Sequence, residues 1–154
     1  MKTITPEDIA AVKAAHAALG ERIAKLEAST VEQAFFEYQG KRIPLATGET
    51  YVGTIITRYH KYHLILLPGQ VESKKWADAM MWADGIGGAL PSRFESALLF
   101  ATLKDQFDEF WYWTSEKYAL NPEYALCQDF GFGSQQYDYQ GLVLRARAIR
   151  RLAA

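Results

Sequence analysis

The side chains best suited to binding chemistry lie near the end of the chain. Arg145, Arg147 and Arg151 recur at odd positions, which places them on one face of a predicted C-terminal strand and leaves small apolar residues on the other. Guanidinium groups bind phosphates and carboxylates through paired hydrogen bonds and stack on aromatic rings. This face therefore predicts an anion site, unless the arginines pair with acids such as Asp129 and Asp138 on neighbouring strands.

Aromatic and amide side chains precede these arginines and complete the predicted site. The expected ligand-binding residues are Trp111, Trp113, Gln136, Tyr137, Tyr139, Arg145 and Arg147. Aromatic rings stack on nucleobases, and amides supply hydrogen bonds beside them. The combination favours a small phosphorylated ligand that also carries a base, such as a nucleotide.

Side chains typical of catalysis or of metal binding are sparse. His60 and His63 stand three apart, so in a strand their side chains point to opposite faces and cannot share a metal unless the segment bends. Cys127 lies in another predicted strand with no histidine nearby in the sequence, which is typical of an inert buried thiol. We therefore expect no catalytic residue, no metal site and no cofactor.

Charge and composition limit the classes of partner. The 154 residues carry a formal net charge of -1, from 17 Lys and Arg and 18 Asp and Glu, so no overall positive field attracts duplex nucleic acid. A hydrophobic fraction of 49% suits a single globular core. The sequence has no apolar signal at its start and no run of about 18 apolar residues. We expect no membrane partner and a location in the cytoplasm or, alternatively, in a particle assembled there.

The N-terminal segment predicts a helix from Thr5 to about Ala28, because Thr5 can cap free amides and Pro6 suits the first helical position. Its apolar residues follow the three-four spacing of a coiled-coil seam that also contains a histidine. The seam consists of Ile9, Val12, His16, Leu19, Ile23 and Leu26. Two interpretations stay open: packing on its own domain, or self-association into a homo-oligomer. The predicted organisation is a helix at 1–30 and a domain at 31–154.

The predicted domain mixes strands with two helices. A strand pair surrounds the Gln39-Gly40 turn, and extended segments follow to Leu67. Ser73 is expected to cap a first helix, and the capping box of Ser92 with Glu95 should start a second. Strand-like segments then continue to the end of the chain. This order predicts an α+β domain.

Signposts between residues 76 and 150 carry a family resemblance. They are Trp76 and Ala79, the stretch 87–95, the stretch Tyr112-Trp113-Thr114-Ser115, and Arg147-Ala148-Ile149-Arg150. The chain resembles the C-terminal domain of collagen-like bacterial adhesins, a family common in phages and prophages. Its pattern runs W-x-x-A, G-W-R-L-P-T-x-x-E, Y-W-S-S and V-R-C-V-R. Here Gly88-Ala89 replaces the Trp-Arg of the second motif, and Ala148 replaces the cysteine of the last.

The resemblance implies a C-type-lectin-like fold, in which two helices flank short twisted antiparallel sheets. It also relates the domain to formylglycine-generating, sulfatase-modifying proteins. Those enzymes need a cysteine pair, and this chain has only Cys127, so an enzyme of that type is the least favoured function.

The resulting expectation is a non-enzymatic phage protein that binds a ligand in the host cytoplasm. An anti-defence role is the leading hypothesis: sequestering a nucleotide immune signal, or blocking a host defence protein. The alternative is a receptor-binding or adhesin module of the virion.

Overall fold

The computed structural model describes residues 5–30 and 34–154, with no side-chain description for 26–30. These residues divide into two compact units, with the division between Ala34 and Phe35. The boundary predicted after residue 30 borders residues 31–33, which lie outside the described part of the chain.

The N-terminal unit contains helix α1, Pro6–Thr30, so the predicted helix is present. Its first turn is capped reciprocally: the Thr5 hydroxyl accepts from the Asp8 N–H at 3.2 Å, and the Asp8 carboxylate accepts from the Thr5 N–H at 2.9 Å. The Asp8 carboxylate also accepts from the Thr5 hydroxyl at 2.8 Å, and the N–H and hydroxyl that Thr5 donates hold the pKa of Asp8 below its usual value. The seam residues Ile9, Val12 and Leu19 are exposed, whereas Leu26 is not among the described side chains.

The second unit is built from short strands and two α-helices. The strands are β1 Phe35–Tyr38, β2 Lys41–Pro44, β3 Thr50–Ile56, β4 Lys61–Leu66, β5 Val71–Lys74, β6 Trp111–Lys117, β7 Tyr124–Asp129, β8 Gln135–Tyr139, β9 Leu144–Ala146 and β10 Ile149–Ala153. The helices are α2 Trp76–Gly85 and α3 Arg93–Leu103, and a 3₁₀ turn at Lys104–Gln106 follows α3. The predicted α+β class is confirmed.

Three sheets organise the strands. The hairpin β1-β2 forms the first, and its predicted turn is present, with positive φ angles of 49° at Gln39 and 76° at Gly40. The second has the order β10-β4-β3, and all of its pairings are antiparallel. The third has the order β5-β9-β6-β7-β8, in which only β6 and β9 pair in parallel. Strand β8 therefore lies at an edge of the largest sheet.

The two helix starts differ in how well local sequence predicted them. The capping box before α3 is confirmed: Ser92 Oγ accepts from the Glu95 N–H, and Glu95 Oε2 accepts from the Ser92 N–H. The cap predicted at Ser73 is wrong, because Ser73 lies in β5 and α2 starts only after Lys75. The pairing of β5 with β9 keeps Ser73 in extended backbone.

The predicted continuous strand near the C-terminus is broken. It is divided into β9 and β10, with Arg147 and Ala148 between them. Strand β9 joins the sheet of β6, whereas β10 joins that of β4. Arg151 therefore lies in a different sheet from Arg145, and the prediction of a single row of arginines on one strand is wrong.

The core lies between the sheets and the helices. One cluster surrounds the buried Trp76, Leu90 and Trp113, and another contains the stacked rings of Phe107 and Phe130, whose centroids are 3.8 Å apart. Trp76 Nε1 donates to the carbonyl of Thr114 at 2.8 Å, which ties α2 to β6. Large aromatic side chains thus fix the helices on the sheet that positions the candidate site.

Both departures from the resembled pattern lie at one packing contact. A Cβ atom on Gly88 would lie 2.5 Å from Leu67 Cδ1, 2.7 Å from the Ile149 carbonyl oxygen and 3.3 Å from Ala148 Cβ. The adjacent Ala89 forms an antiparallel bridge with Ile149. A tryptophan cannot enter at residue 88 without displacing this backbone, so the glycine matches its surroundings.

Candidate ligand-binding groove

The arginines predicted to bind a ligand are occupied within the fold. Arg145 Nη1 forms an ion pair with Asp108 and lies 3.7 Å from a Glu72 carboxylate oxygen. The Arg145 guanidinium also covers the ring of Phe110, 4.0 Å from its centroid. These contacts fix the Arg145 side chain within the domain and indicate a role in stability.

Arg147 binds backbone carbonyls. Its Nη1 donates to Gln106 at 2.6 Å and its Nη2 to Leu67 at 2.9 Å, and its guanidinium lies 5.0 Å from the centroid of the Phe107 ring. Burial lowers the pKa of this guanidinium. Arg147 therefore joins the segment after β4 to the turn after α3.

The remaining C-terminal arginines pair with carboxylates, although not with those expected. Arg150 binds Glu49 at 2.6 Å, and Arg151 binds Glu95. Neither Asp129 nor Asp138 is an arginine partner among the described residues. Asp129 instead accepts the N–H groups of the turn after β7, at residues 131 and 132.

The predicted tryptophan edge lies mostly inside the domain. Trp113 has no exposed surface, and its Nε1 donates to the Lys74 carbonyl at 2.8 Å. Trp111 is half-buried and packs against the core cluster of Trp113. Trp113 is accordingly a core residue with no face available to a ligand.

The predicted residues on β8 are the ones at the surface. Gln136, Tyr137 and Tyr139 are all exposed. Tyr137 stacks on Tyr118, with ring centroids 3.7 Å apart and planes 9° from parallel. Tyr139 instead packs near Tyr124, and it does not line the surface groove that Tyr137 lines.

An open groove of about 700 Å³ lies beside this tyrosine pair. It is lined by Arg93, Glu116, Lys117, Tyr118, Ala119, Leu126, Gln135, Gln136 and Tyr137. The start of α3 forms one side, and the end of β6 with β7 and β8 forms the rest. Of the predicted residues, the groove contains only Gln136 and Tyr137.

Hydrogen bonds fix the junction between α3 and the groove floor. Glu116 Oε1 accepts from the Arg93 N–H at 2.8 Å, so this carboxylate serves the helix start. Gln135 Nε2 donates to the Arg93 carbonyl at 2.6 Å and to Gln128 Oε1 at 2.8 Å. The Arg93 backbone is thereby held in place, while its side chain is exposed.

The groove carries more positive than negative charge. Arg93 and Lys117 line it as cations, and the single lining carboxylate, Glu116, already accepts a backbone N–H. Neither cation is in an ion pair with the described carboxylates. Lys117 Nζ also lies 5.4 Å from the centroid of the Trp76 ring, a cation-π contact with a residue outside the groove.

Sequence reasoning missed seven of the nine lining residues, among them Arg93, Lys117, Tyr118 and Gln135. For Arg93 the sequence offered a usable signal, because the capping box makes it the first residue of a helix and its side chain can then point outward. Tyr118 had none. Its meeting with Tyr137 depends on the antiparallel order of β6, β7 and β8 and on an irregularity between Trp113 and Lys117.

The described residues offer little support for nucleophilic or metal chemistry. Cys127 is fully buried, its Sγ donates to the Gln136 carbonyl at 3.4 Å, and burial raises the pKa of the thiol to about 12. No group of three metal-ligating side chains occurs within 5–30 and 34–154. His60 lies in the turn before β4 and is exposed, whereas His63 is buried in that strand.

Comparison with protein-family models and with curated proteins finds no match to this chain. In the part that the structure describes, no helix has both the length and the apolar character needed to cross a bilayer.

Proposed function

We propose that this chain is a non-enzymatic binding protein that holds a small phosphorylated ligand with a planar ring, such as a nucleotide, in the groove beside Tyr137. The observation that carries the proposal is the stack of the exposed Tyr137 on the half-buried Tyr118, in a groove that the cations Arg93 and Lys117 also line. Stacking and charge are the two interactions that such a ligand requires.

The geometry favours this class of ligand over a purely apolar one. Because the Glu116 carboxylate is engaged by the start of α3, the two cations act on a bound phosphate with little competition. Gln136 offers amide hydrogen bonds next to the rings. A volume of about 700 Å³ lies within the range of about 300–1,000 Å³ common for small-molecule sites.

The proposed scaffold is a C-type-lectin-like domain of the phage and prophage family resembling the C-terminal domain of collagen-like bacterial adhesins. Its support is the pair α2 and α3 beside short sheets, the capping box, and the buried Trp76 and Trp113. In this setting we place the protein in the host cytoplasm, where it sequesters a nucleotide immune signal or blocks a host defence protein.

A virion-associated receptor-binding module is the second candidate. It is favoured by the exposed apolar seam of α1, with Ile9, Val12, Leu19 and Ile23, which suits a homo-oligomer attached to a fibre. Tyrosine rings with neighbouring amides also stack on sugars, so the same groove would contact a surface glycan.

A calorimetric panel separates the candidates. Cyclic nucleotides and ADP-ribose derivatives form one arm, and neutral bacterial glycans the other. Saturable heat in the nucleotide arm supports the proposal, whereas heat in the glycan arm alone, with the protein present in purified virions, supports the second candidate. Absence of heat in both arms contradicts the small-ligand function.

A further inference from the structure

A second, smaller cavity lies away from the groove, between the β1-β2 hairpin, the start of β4 and the end of β10. Its volume is about 240 Å³, and its walls include Tyr38, Lys41, Ile43, Lys61, His63 and Leu152. None of these residues lines the groove. The cavity is therefore a separate candidate site with different lining residues.

His63 is a buried polar side chain in this cavity wall, with only 5% of its surface exposed. Its Nδ1 lies 2.9 Å from Thr54 Oγ1 and 3.2 Å from the Tyr51 hydroxyl oxygen. The Tyr38 ring packs against it edge to face, with centroids 5.0 Å apart. Both Nδ1 contacts come from strand β3, so the imidazole orientation is fixed.

The second ring nitrogen of His63 has no hydrogen-bond partner among the described residues. This nitrogen is not one of the buried side-chain atoms that lack a partner, so it stays accessible from the cavity that His63 lines. A hydroxyl that donates to Nδ1 puts the ring proton on Nε2, which then becomes a donor. Because His63 lines the cavity, a ligand bound there would supply the hydrogen-bond acceptor for the Nε2 proton.

Two ammonium groups flank the cavity, Lys41 on β2 and Lys61 on β4. Lys61 Nζ lies 5.5 Å from the Tyr38 ring centroid. Neither lysine makes an ion pair with the carboxylate of a described Asp or Glu side chain. Arg42 also borders the cavity, but its guanidinium covers Phe35, 4.2 Å from the ring centroid.

We propose that this cavity is a binding site for a tetrahedral oxyanion, a phosphate or sulfate group, held by His63 Nε2 and the ammonium groups of Lys41 and Lys61. The three donors belong to two strands, Lys41 to β2 and both Lys61 and His63 to β4, and three separate donors suit the four oxygens of a tetrahedral anion better than the two of a carboxylate. Ile43 and Leu152 provide an apolar wall for a carbon group attached to the anion. The site is independent of the function proposed for the groove.

The test uses the full chain with inorganic phosphate, sulfate and acetate as probes. Titration is followed by calorimetry and by nuclear magnetic resonance of the His63 ring nitrogens. We expect saturable binding of phosphate and sulfate, a shift at His63 Nε2, and weaker binding of acetate. An unchanged His63 resonance, or acetate binding as tight as phosphate binding, overturns the proposal.

A matched pair of double variants tests the role of charge. The pair Lys41→Met and Lys61→Met should weaken phosphate binding about tenfold or more, a factor equivalent to about 1.4 kcal/mol. The control pair, Lys74→Met and Lys75→Met, changes the net charge equally at exposed positions outside the cavity and should leave binding unchanged. Equal weakening in both pairs shows nonspecific attraction and overturns the site. Ligand binding in the groove should persist in the cavity variant, so the two proposals fail separately.

Discussion

Arg151 and Glu95 form a two-point ion pair that joins the last strand to the first turn of α3. Arg151 Nε lies 2.7 Å from Glu95 Oε1, and Nη2 lies 2.6 Å from Oε2. The same carboxylate accepts from the Tyr62 hydroxyl and from the Ser92 N–H, both at 2.8 Å. A residue predicted only as half of a capping box therefore also links β4, β10 and α3.

Replacing Glu95 with alanine should strongly destabilise the domain. Glu95 is 1% exposed, and its loss leaves the Arg151 guanidinium and the Ser92 N–H without their acceptor. Breaking a fully buried pair by removing one partner costs about 3–5 kcal/mol, and because the Arg151 side chain is 39% exposed we expect the lower part of this range. Urea unfolding of Glu95→Ala measures the loss, with the exposed Glu109→Ala as control. Equal free energies of unfolding for the two variants would contradict this role.

The Glu95 carboxylate should also make the free energy of unfolding depend on pH in the acid range. Burial alone raises the pKa of Glu95, but the Arg151 bonds, the Ser92 N–H and Tyr62 outweigh it and hold the pKa below the usual 4.5. The stabilising contribution is therefore present above pH 4.5 and is lost as pH falls through the folded-state pKa. Glu49 has the same direction of shift because of Arg150.

Unfolding free energies measured across the acid range check this sign. The variant Glu95→Gln should show a shallower loss of stability below pH 4.5 than the wild type, and Glu49 and Asp8 should contribute to the remaining slope. An unchanged slope in Glu95→Gln would show that the Glu95 carboxylate has the same pKa in both states.

Gly133 should tolerate no side chain. Its φ of 87° lies in the left-handed region, and a Cβ atom would lie 2.6 Å from Phe100 Cε1. We expect Gly133→Ala to cost about 1–3 kcal/mol from strain and displaced packing. Thermal unfolding against Gly85→Ala, where a Cβ meets nothing within 4 Å, provides the comparison. A Gly133→Ala melting temperature equal to that of the control would disprove the clash.

Cys127 should be chemically silent in the folded protein. Burial raises the pKa of its thiol to about 12 from the usual 9.0, so the thiolate is disfavoured in the folded state. Its contribution to stability is present below pH 9.0 and is lost as pH rises toward about 12. Thiol-reagent labelling should be roughly a hundredfold or more slower for the folded than for the unfolded chain. Rapid labelling of the folded chain would show that the Cys127 thiol is reactive in the folded state.

Local signals in the sequence predicted local structure well. The Gln39-Gly40 turn, the start of α1 and the capping box all involve residues within a few positions of one another. Each depends on backbone geometry and short hydrogen bonds that neighbours determine. These features could be predicted from sequence because no distant partner competes with them.

The prediction of the ligand site was wrong where contacts with residues distant in the sequence determine the position of a side chain. Alternation placed three arginines on one face, but Ala148 packs against Gly88 while the strand changes sheets, and each arginine meets a different acceptor. The stack of Tyr118 on Tyr137 joins residues from separate strands. No periodicity in a single segment encodes that register.

The most direct test of the central claim is the affinity of the groove for the nucleotide that gives the strongest heat in the panel. Calorimetry should compare the wild type with Tyr137→Ala and with Tyr59→Ala, whose ring is 79% exposed outside the groove. Because aromatic stacking contributes about 1–3 kcal/mol per base, Tyr137→Ala should weaken binding by roughly tenfold to a hundredfold while Tyr59→Ala leaves it unchanged. Equal affinity of wild type and Tyr137→Ala would contradict the groove as the binding site.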